Sequence, residues 1–198
     1  MKKEVVDLDT MRAETAALIA RIDLGLVSKF GEVIFSAAES GKTVYAIGNG
    51  GSAALASHFV TDLLHISQSK STNLRLKAHA LASDDSMITA FANDYGYEEI
   101  FSRQLEVLSE AGDVIVAVST SGKSRNILTA LAAPRTARSK RLGLTSAQGT
   151  EMASLCDHSL LVESDSPYVV ETVHVCFTQL VAAAIRSRVN MRAPNLKQ

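Results

Sequence analysis

Cysteine is scarce in this chain of 198 residues: Cys156 and Cys176 are the only two. They form neither a disulfide framework nor a Cys-x-x-Cys pair, so a disulfide-stapled scaffold is excluded. The simpler expectation is a reducing cytoplasm with both thiols as small core residues. Proline is equally sparse, at Pro134, Pro167 and Pro194, and no repeat, low-complexity tract or internal linker interrupts the chain. An excess of one charge is missing too, since 20 Lys+Arg stand against 21 Asp+Glu. Binding to a nucleic-acid backbone needs a concentrated basic surface, so nucleic acid is not an expected partner. Apolar runs such as Leu180 to Ile185 fall far short of the ~20 residues of a membrane-spanning helix, and no membrane partner is expected. Met1-Lys2-Lys3 is followed by Glu4, Asp7 and Asp9 where the apolar part of an export signal would sit, so no such signal is predicted.

What is present is an ordinary globular composition, 46% apolar and 21% charged, which contradicts disorder. The length suits one α/β-sized domain with an appendage. Between Leu8 and Ala37, the positions Leu8, Met11, Thr15, Leu18, Ile22, Leu26, Phe30, Val33 and Ala37 step by three or four, and all but Thr15 are apolar, which predicts one long or broken helix. After Gly41 the pattern turns to short apolar runs: Val44 to Ile47, Leu74 to Leu81, Val114 to Val118, Leu142 to Thr145 and Ser159 to Val162. Helical stretches near 53–66, 86–109, 124–139 and 168–187 alternate with them. Such alternation predicts parallel strands joined by right-handed crossovers. The expected fold class is therefore α/β, a three-layer sandwich around a five-stranded parallel sheet. Residues 1–40 would be an N-terminal helical segment, 41–192 the α/β domain and 193–198 a frayed tail. The apolar face of the N-terminal segment needs covering, and a subunit interface is the expected cover.

In an open parallel sheet, ligands bind where strands end and loops lead into helix N-termini. Two loops have suitable composition. Gly48-Asn49-Gly50-Gly51-Ser52 follows the first strand, and its glycines allow backbone N–H groups to approach an anion. Ser119-Thr120-Ser121-Gly122-Lys123-Ser124 follows the third and offers four hydroxyls at a helix N-terminus, enough to hold a phosphate monoester. Simple helix capping would use only one or two of them. Neither loop matches Gly-x-x-x-x-Gly-Lys-Ser/Thr. Gly48, Gly50 and Ala53 do fit a Gly-x-Gly-x-x-Ala dinucleotide fingerprint, yet no acid occurs from Leu63 through Ser83, where a ribose-binding carboxylate belongs.

His58 and Asp62 are four apart on the helix after the first loop, a spacing that suits a base or metal pair and equally a plain ion pair. Glu171, His174 and Thr178 share a face of the last helix, with Gln179 adjacent, and core packing would explain them almost as well. Asn93-Asp94-Tyr95-Gly96-Tyr97-Glu98 is a functional loop or an interhelical turn. Arg135, Arg138, Lys140 and Arg141 read as a solvated helix C-terminus.

Taken together, Asn49-Gly50-Gly51-Ser52-Ala53-Ala54 with His58, the run Asn93 to Glu98, Gly112-Asp113-Val114, the run Ser119 to Ser124, and Leu155-Cys156-Asp157-His158 resemble the phosphoheptose isomerases, a branch of the sugar isomerase (SIS) domains. The resemblance runs from about Gly41 to Ile185. It implies a flavodoxin-like SIS fold, a homotetramer with sites between subunits, and conversion of sedoheptulose 7-phosphate to the aldose phosphate. It places phosphate contacts at Ser52, Ser119, Thr120, Ser121 and Ser124, further substrate contacts at Asn49, Gly50 and Gly51, and a sugar contact at Asp94. The family carries a Glu four residues after the first-helix His, where this chain has Asp62. On the last helix it carries a Gln and, eight residues on, a His, where this chain has Glu171 and Gln179. The implied cofactor is one divalent metal, zinc in the family, with His58, Asp62, Glu171 and Gln179 as its candidate ligands. Gln cannot shuttle a proton near neutrality, so Asp62 is the candidate base and Glu171 its partner in an enediol mechanism. Two other readings stay open: a non-catalytic SIS regulator that binds a phosphosugar or a replication initiator, and an isomerase of a different sugar.

Overall fold

A computed structural model describes residues 7–68 and 74–192. The expected tail, 193–198, lies outside the described residues, as do the first six. Two helices open the chain, α1 (Leu8–Ala20) and α2 (Leu24–Glu39). The periodic pattern runs through both, but the helix breaks because Asp23 caps the second one, its carboxylate accepting from Gly25 N at 2.7 Å. There follow β1 (Thr43–Gly48), α3 (Gly51–Ser67), β2 (Lys77–Ala80), α4 (Asp85–Tyr95), α5 (Ser102–Leu108), β3 (Val114–Val118), α6 (Arg125–Ala132), β4 (Lys140–Ser146), α7 (Thr150–Ser154), β5 (His158–Val162) and α8 (Pro167–Arg192). The stretch expected as one helix over 86–109 is split, because Gly96 sits at φ +98°, outside helical space.

All five strands are parallel, in the order β2-β1-β3-β4-β5. Their residues alternate between two cores, as the period of two along a strand requires. Val44, Ala46, Val114, Val116 and Leu142 point to one face, under α2, α3 and α8, where Phe30 meets Phe177 edge to face at 5.0 Å. Tyr45, Ile47, Ile115 and Ala117 point to the other, with Phe101, Leu105, Ile127 and Met152 of the segments around α5 to α7. This is the expected three-layer α/β sandwich.

The expected cover for the N-terminal segment is revised for α2. Its Val27, Phe30, Ile34 and Phe35 are buried by the chain's own sheet and α8 rather than by a second subunit. Of the two opening helices, α1 has no buried residue, and its Leu8 is 73% exposed. The two cysteines are half-buried, not core, and burial pushes the Cys156 thiol up to about 11. Helix α8 is long and apolar enough over Pro167–Met191 to cross a membrane by length and composition, which the short-run reading missed. Half of that window is buried inside the fold, as in the core helix of a sandwich.

Candidate functional site

Strands β1 and β3 are neighbours, yet the helix after β1 covers one face of the sheet and the helix after β3 covers the other. Where crossovers part in this way a crevice opens at the carboxyl ends of the strands. Both glycine- and hydroxyl-rich loops end there. In the first, a Cβ on Gly48 would lie 2.5 Å from the Ser52 carbonyl oxygen, so only glycine lets the chain turn this tightly into α3. Gly50 adopts φ +52°. Ser52 is buried in the first turn of α3, and Gly51 lies beside Glu171 of α8, whose Oε2 would be 3.2 Å from a Cβ built there. The half-buried Glu171 carboxylate thus stands at the positive end of α3.

In the second loop, Ser124 occupies the capping position of α6 but makes no cap bond. Its hydroxyl faces that of Ser119 instead, Oγ to Oγ 3.2 Å, and Gly122 N donates to Ser119 Oγ at 3.2 Å. Lys123 N donates to Ser121 Oγ at 3.3 Å. Ser119 is buried, Ser121 is exposed, and Thr120 and Ser124 lie between. Gly122, at φ +63°, is seated so that a Cβ would come within 2.4 Å of Gly149 Cα. Thr120 and Ser121 open into a cleft of about 230 Å³ completed by Ser146, Gln148, Ser164, Asp165, Pro167 and Val170. Gln148 donates to Asp165 across it. A wider depression of about 920 Å³ continues from the cleft toward α1, sharing Gln148, Ser164, Asp165 and Pro167. The sequence reading missed Gln148 and Asp165. Their signal was available, because they follow β4 and β5 at the same end of the sheet as the two loops. The larger depression of about 1030 Å³ among α5, α6 and Arg135 lies beside residues that precede β3 and β4, at the opposite end.

Asn49 does not project freely. Its Oδ1 accepts from Asn126 Nδ2 at 2.8 Å and from Tyr97 Oη at 3.0 Å, and its Nδ2 donates to Asn126 Oδ1 at 2.9 Å. These bonds bring together the glycine loop, the hydroxyl loop and the segment that carries Asp94. Asp94 itself is exposed and accepts from Asn93 Nδ2 at 2.9 Å.

Farther along α3, Gln179 Nε2 donates to Asp62 Oδ2 at 2.6 Å, and His58 Nε2 lies 3.7 Å from the same oxygen. Three of the four candidate metal ligands therefore meet. Glu171 stays apart: it abuts Gly51, which lies eleven residues before Asp62, about 16 Å along a helix. Among the described residues no three His, Cys, Asp or Glu side chains gather as a metal set. Zinc favours several nitrogen, sulfur or carboxylate donors converging on one point, and within one chain an amide already holds the Asp62 oxygen. The donors of a single chain do not fit a zinc centre. His174, between Glu171 and Gln179 on α8, is fully buried, and burial pushes its pKa down to about 4.

Comparison with known proteins agrees with this arrangement. A family model described as SIS domain matches residues 12–146. The phosphoheptose isomerase of Aliarcobacter butzleri is 34% identical over 185 residues, covering 93% of this chain and 97% of that protein. Phosphoheptose isomerase 1 of Campylobacter jejuni is 40% identical over 151 residues, covering 76% and 80%. The solved phosphoheptose isomerase of Neisseria gonorrhoeae superposes with a TM-score of 0.82 at 29% identity, over 91% of this chain and 97% of that one. The Vibrio vulnificus NanR protein, solved with ManNAc-6P, shares the fold alone, with a TM-score of 0.64 at 16% identity over 92% of this chain and 65% of that one. With a sheet, a crevice and relatives that agree over nearly the whole length, the chain belongs to the phosphoheptose isomerase family of SIS domains.

Proposed function

We propose that the chain is an aldose-ketose isomerase of a heptose phosphate, with sedoheptulose 7-phosphate as the first substrate to try. The observation that carries this reading is the hydroxyl loop. Ser124 stands at a helix N-terminus without capping it, and its hydroxyl turns toward Ser119. Donors arranged so at the positive end of a helix suit the oxygens of a phosphate monoester. The reaction moves a proton from the carbon next to the carbonyl to the carbonyl carbon through an enediol, while a hydroxyl proton passes between the two oxygens. No net oxidation occurs. A carboxylate suits the carbon-to-carbon transfer, and the two candidates are Glu171 and Asp62. Glu171 is beside the glycine loop of its own chain. Asp62, oriented by Gln179 and displaced along α3, serves a site completed by a second copy of the chain.

A second reading, a phosphosugar-binding module without turnover, draws support from Gln179, whose amide cannot carry a proton at physiological pH. One experiment separates the two. The wild type is assayed with heptose, hexose and pentose phosphates and its binding of each is measured by calorimetry. The expected result is turnover of a heptose phosphate, abolished in Asp62→Asn with binding nearly unchanged. Replacing both Ser119 and Ser124 by Ala should raise KM about tenfold or more, the worth of lost hydrogen bonds to a charged group. Full turnover in Asp62→Asn removes Asp62 from the mechanism, and binding without turnover of any sugar establishes the module.

A further inference from the structure

We infer that Tyr97 and Asn126 are positioning residues, acting through Asn49 to set the relative placement of the glycine loop, the hydroxyl loop and the last turn of α4 with Asp94, an inference that rests on the proposed function. The hydrogen-bond count supports this. Both acceptor positions of the Asn49 carbonyl are taken, one by Tyr97 Oη at 3.0 Å and one by Asn126 Nδ2 at 2.8 Å. A side-chain oxygen with two partners has nothing left to offer a sugar hydroxyl. Asn126 is itself fixed: it is 2% exposed, and its Oδ1 accepts both from Asn49 Nδ2 at 2.9 Å and from Ile127 N at 3.0 Å. The reciprocal amide pair therefore clamps the loop after β1 to the first turn of α6, directly behind Ser124.

Tyr97 adds the third segment. It lies two residues beyond α4, a helix with no buried residue of its own. Gly96, at φ +98°, ends α4 before Tyr97, and Ile88, Phe91 and Ala92 hold α4 half-buried against the second core. At the other side of this turn, the Arg103 guanidinium stacks over the Tyr95 ring at 4.6 Å. The phenol of Tyr97, 55% exposed, ties the turn after α4 to Asn49 at the carboxyl end of β1. Loss of its hydroxyl would loosen the last turn of α4, which carries Asp94, while leaving the hydroxyl loop in place. Asn49, placed among the substrate contacts by resemblance, becomes the hub of this clamp, with its side chain directed at protein groups.

The test uses the full-length protein and Tyr97→Phe, an exposed substitution that keeps the ring. Hydrogen exchange followed by mass spectrometry should show faster exchange in the peptides covering 93–98 and 49–52, with the strands unchanged. The inhibition constant for inorganic phosphate, which reads the hydroxyl loop alone, should stay within twofold. Catalytic efficiency toward the heptose phosphate should fall about fivefold to tenfold, the worth of one hydrogen bond. Asn126→Asp keeps the acceptor for Ile127 N but removes the donor to Asn49. Because both variants act on one carbonyl, the double variant should lose less than the product of the single losses. Unchanged exchange at 49–52 overturns the proposal, and so does unchanged efficiency or strict multiplicativity in an active enzyme. A wild type that neither binds nor converts a sugar phosphate defeats the proposed function instead, and exchange then decides the clamp by itself.

Discussion

Acidification should destabilise this protein through one side chain, His174. The residue is 0% exposed on the sheet side of α8, and neither ring nitrogen has a well-aligned hydrogen-bond partner among the described residues. The Thr145 backbone alone favours the protonated ring, and burial outweighs it, so the pKa falls from 6.5 to about 4. The sign follows from linkage. The unfolded chain takes up the proton near pH 6.5 and the folded chain only near 4, so the contribution is fully present above the first value. It is lost as pH falls toward the second. At 1.36 kcal/mol per unit the full window is worth about 3 kcal/mol, of which about 2 kcal/mol is gone at pH 5. For a chain of this size that loss corresponds to a Tm lower by about 4–8 °C than at pH 7.5. Urea unfolding at both pH values, in the wild type and in His174→Leu, isolates the residue from the other titrating groups. The variant should lack this share of the pH dependence. An NMR titration of the wild type should find the ring neutral down to about pH 5. Parallel pH profiles in the two proteins, or an imidazole titrating near its ordinary value, would refute the reasoning.

Three further outcomes are expected. Gly122→Ala places a methyl group 2.4 Å from Gly149 Cα and 2.7 Å from Thr145 Oγ1 at a φ that side chains avoid. The hydroxyl loop must shift, and calorimetry should show sugar-phosphate affinity falling more than tenfold while the far-UV spectrum is kept. Phe177→Ala removes a fully buried ring and its edge-to-face partner Phe30, at a cost of about 3–5 kcal/mol, readable as a lower urea midpoint. Dialysis against EDTA should leave at least half of the isomerase activity, since the donors of one chain form no zinc site. A loss of more than tenfold that zinc restores would show that a second copy completes the donor set.

Much of the architecture was legible because burial has a period. Val114 to Val118 reads as a strand and is one from end to end, since a strand covered on both faces is apolar at every position. The boundary between α1 and α2 was less legible, because the apolar steps continue through Ile22 and only the capping chemistry of Asp23 ends the run. The same limit hid the cover of α2. Periodicity shows that Phe30 and Ile34 share a face, and leaves open whether α8 or another subunit lies against it.

Composition and short spacing by themselves determined five strands, the glycine and hydroxyl loops that follow two of them, and the shared helix face of His58 and Asp62, because each depends on neighbours within a few residues. Only the tertiary structure decided the meetings between distant segments. Strand order sets β1 beside β3, which lets Asn49 reach Asn126 across 77 positions. Helix packing lays α8 along α3, which carries Gln179 to Asp62 across 117 positions and leaves Glu171 at the far end, beside Gly51. The burial of His174 arises in the same way. A chain's local pattern sets which face of an element is apolar, while the register of one element on another selects the side chains that touch.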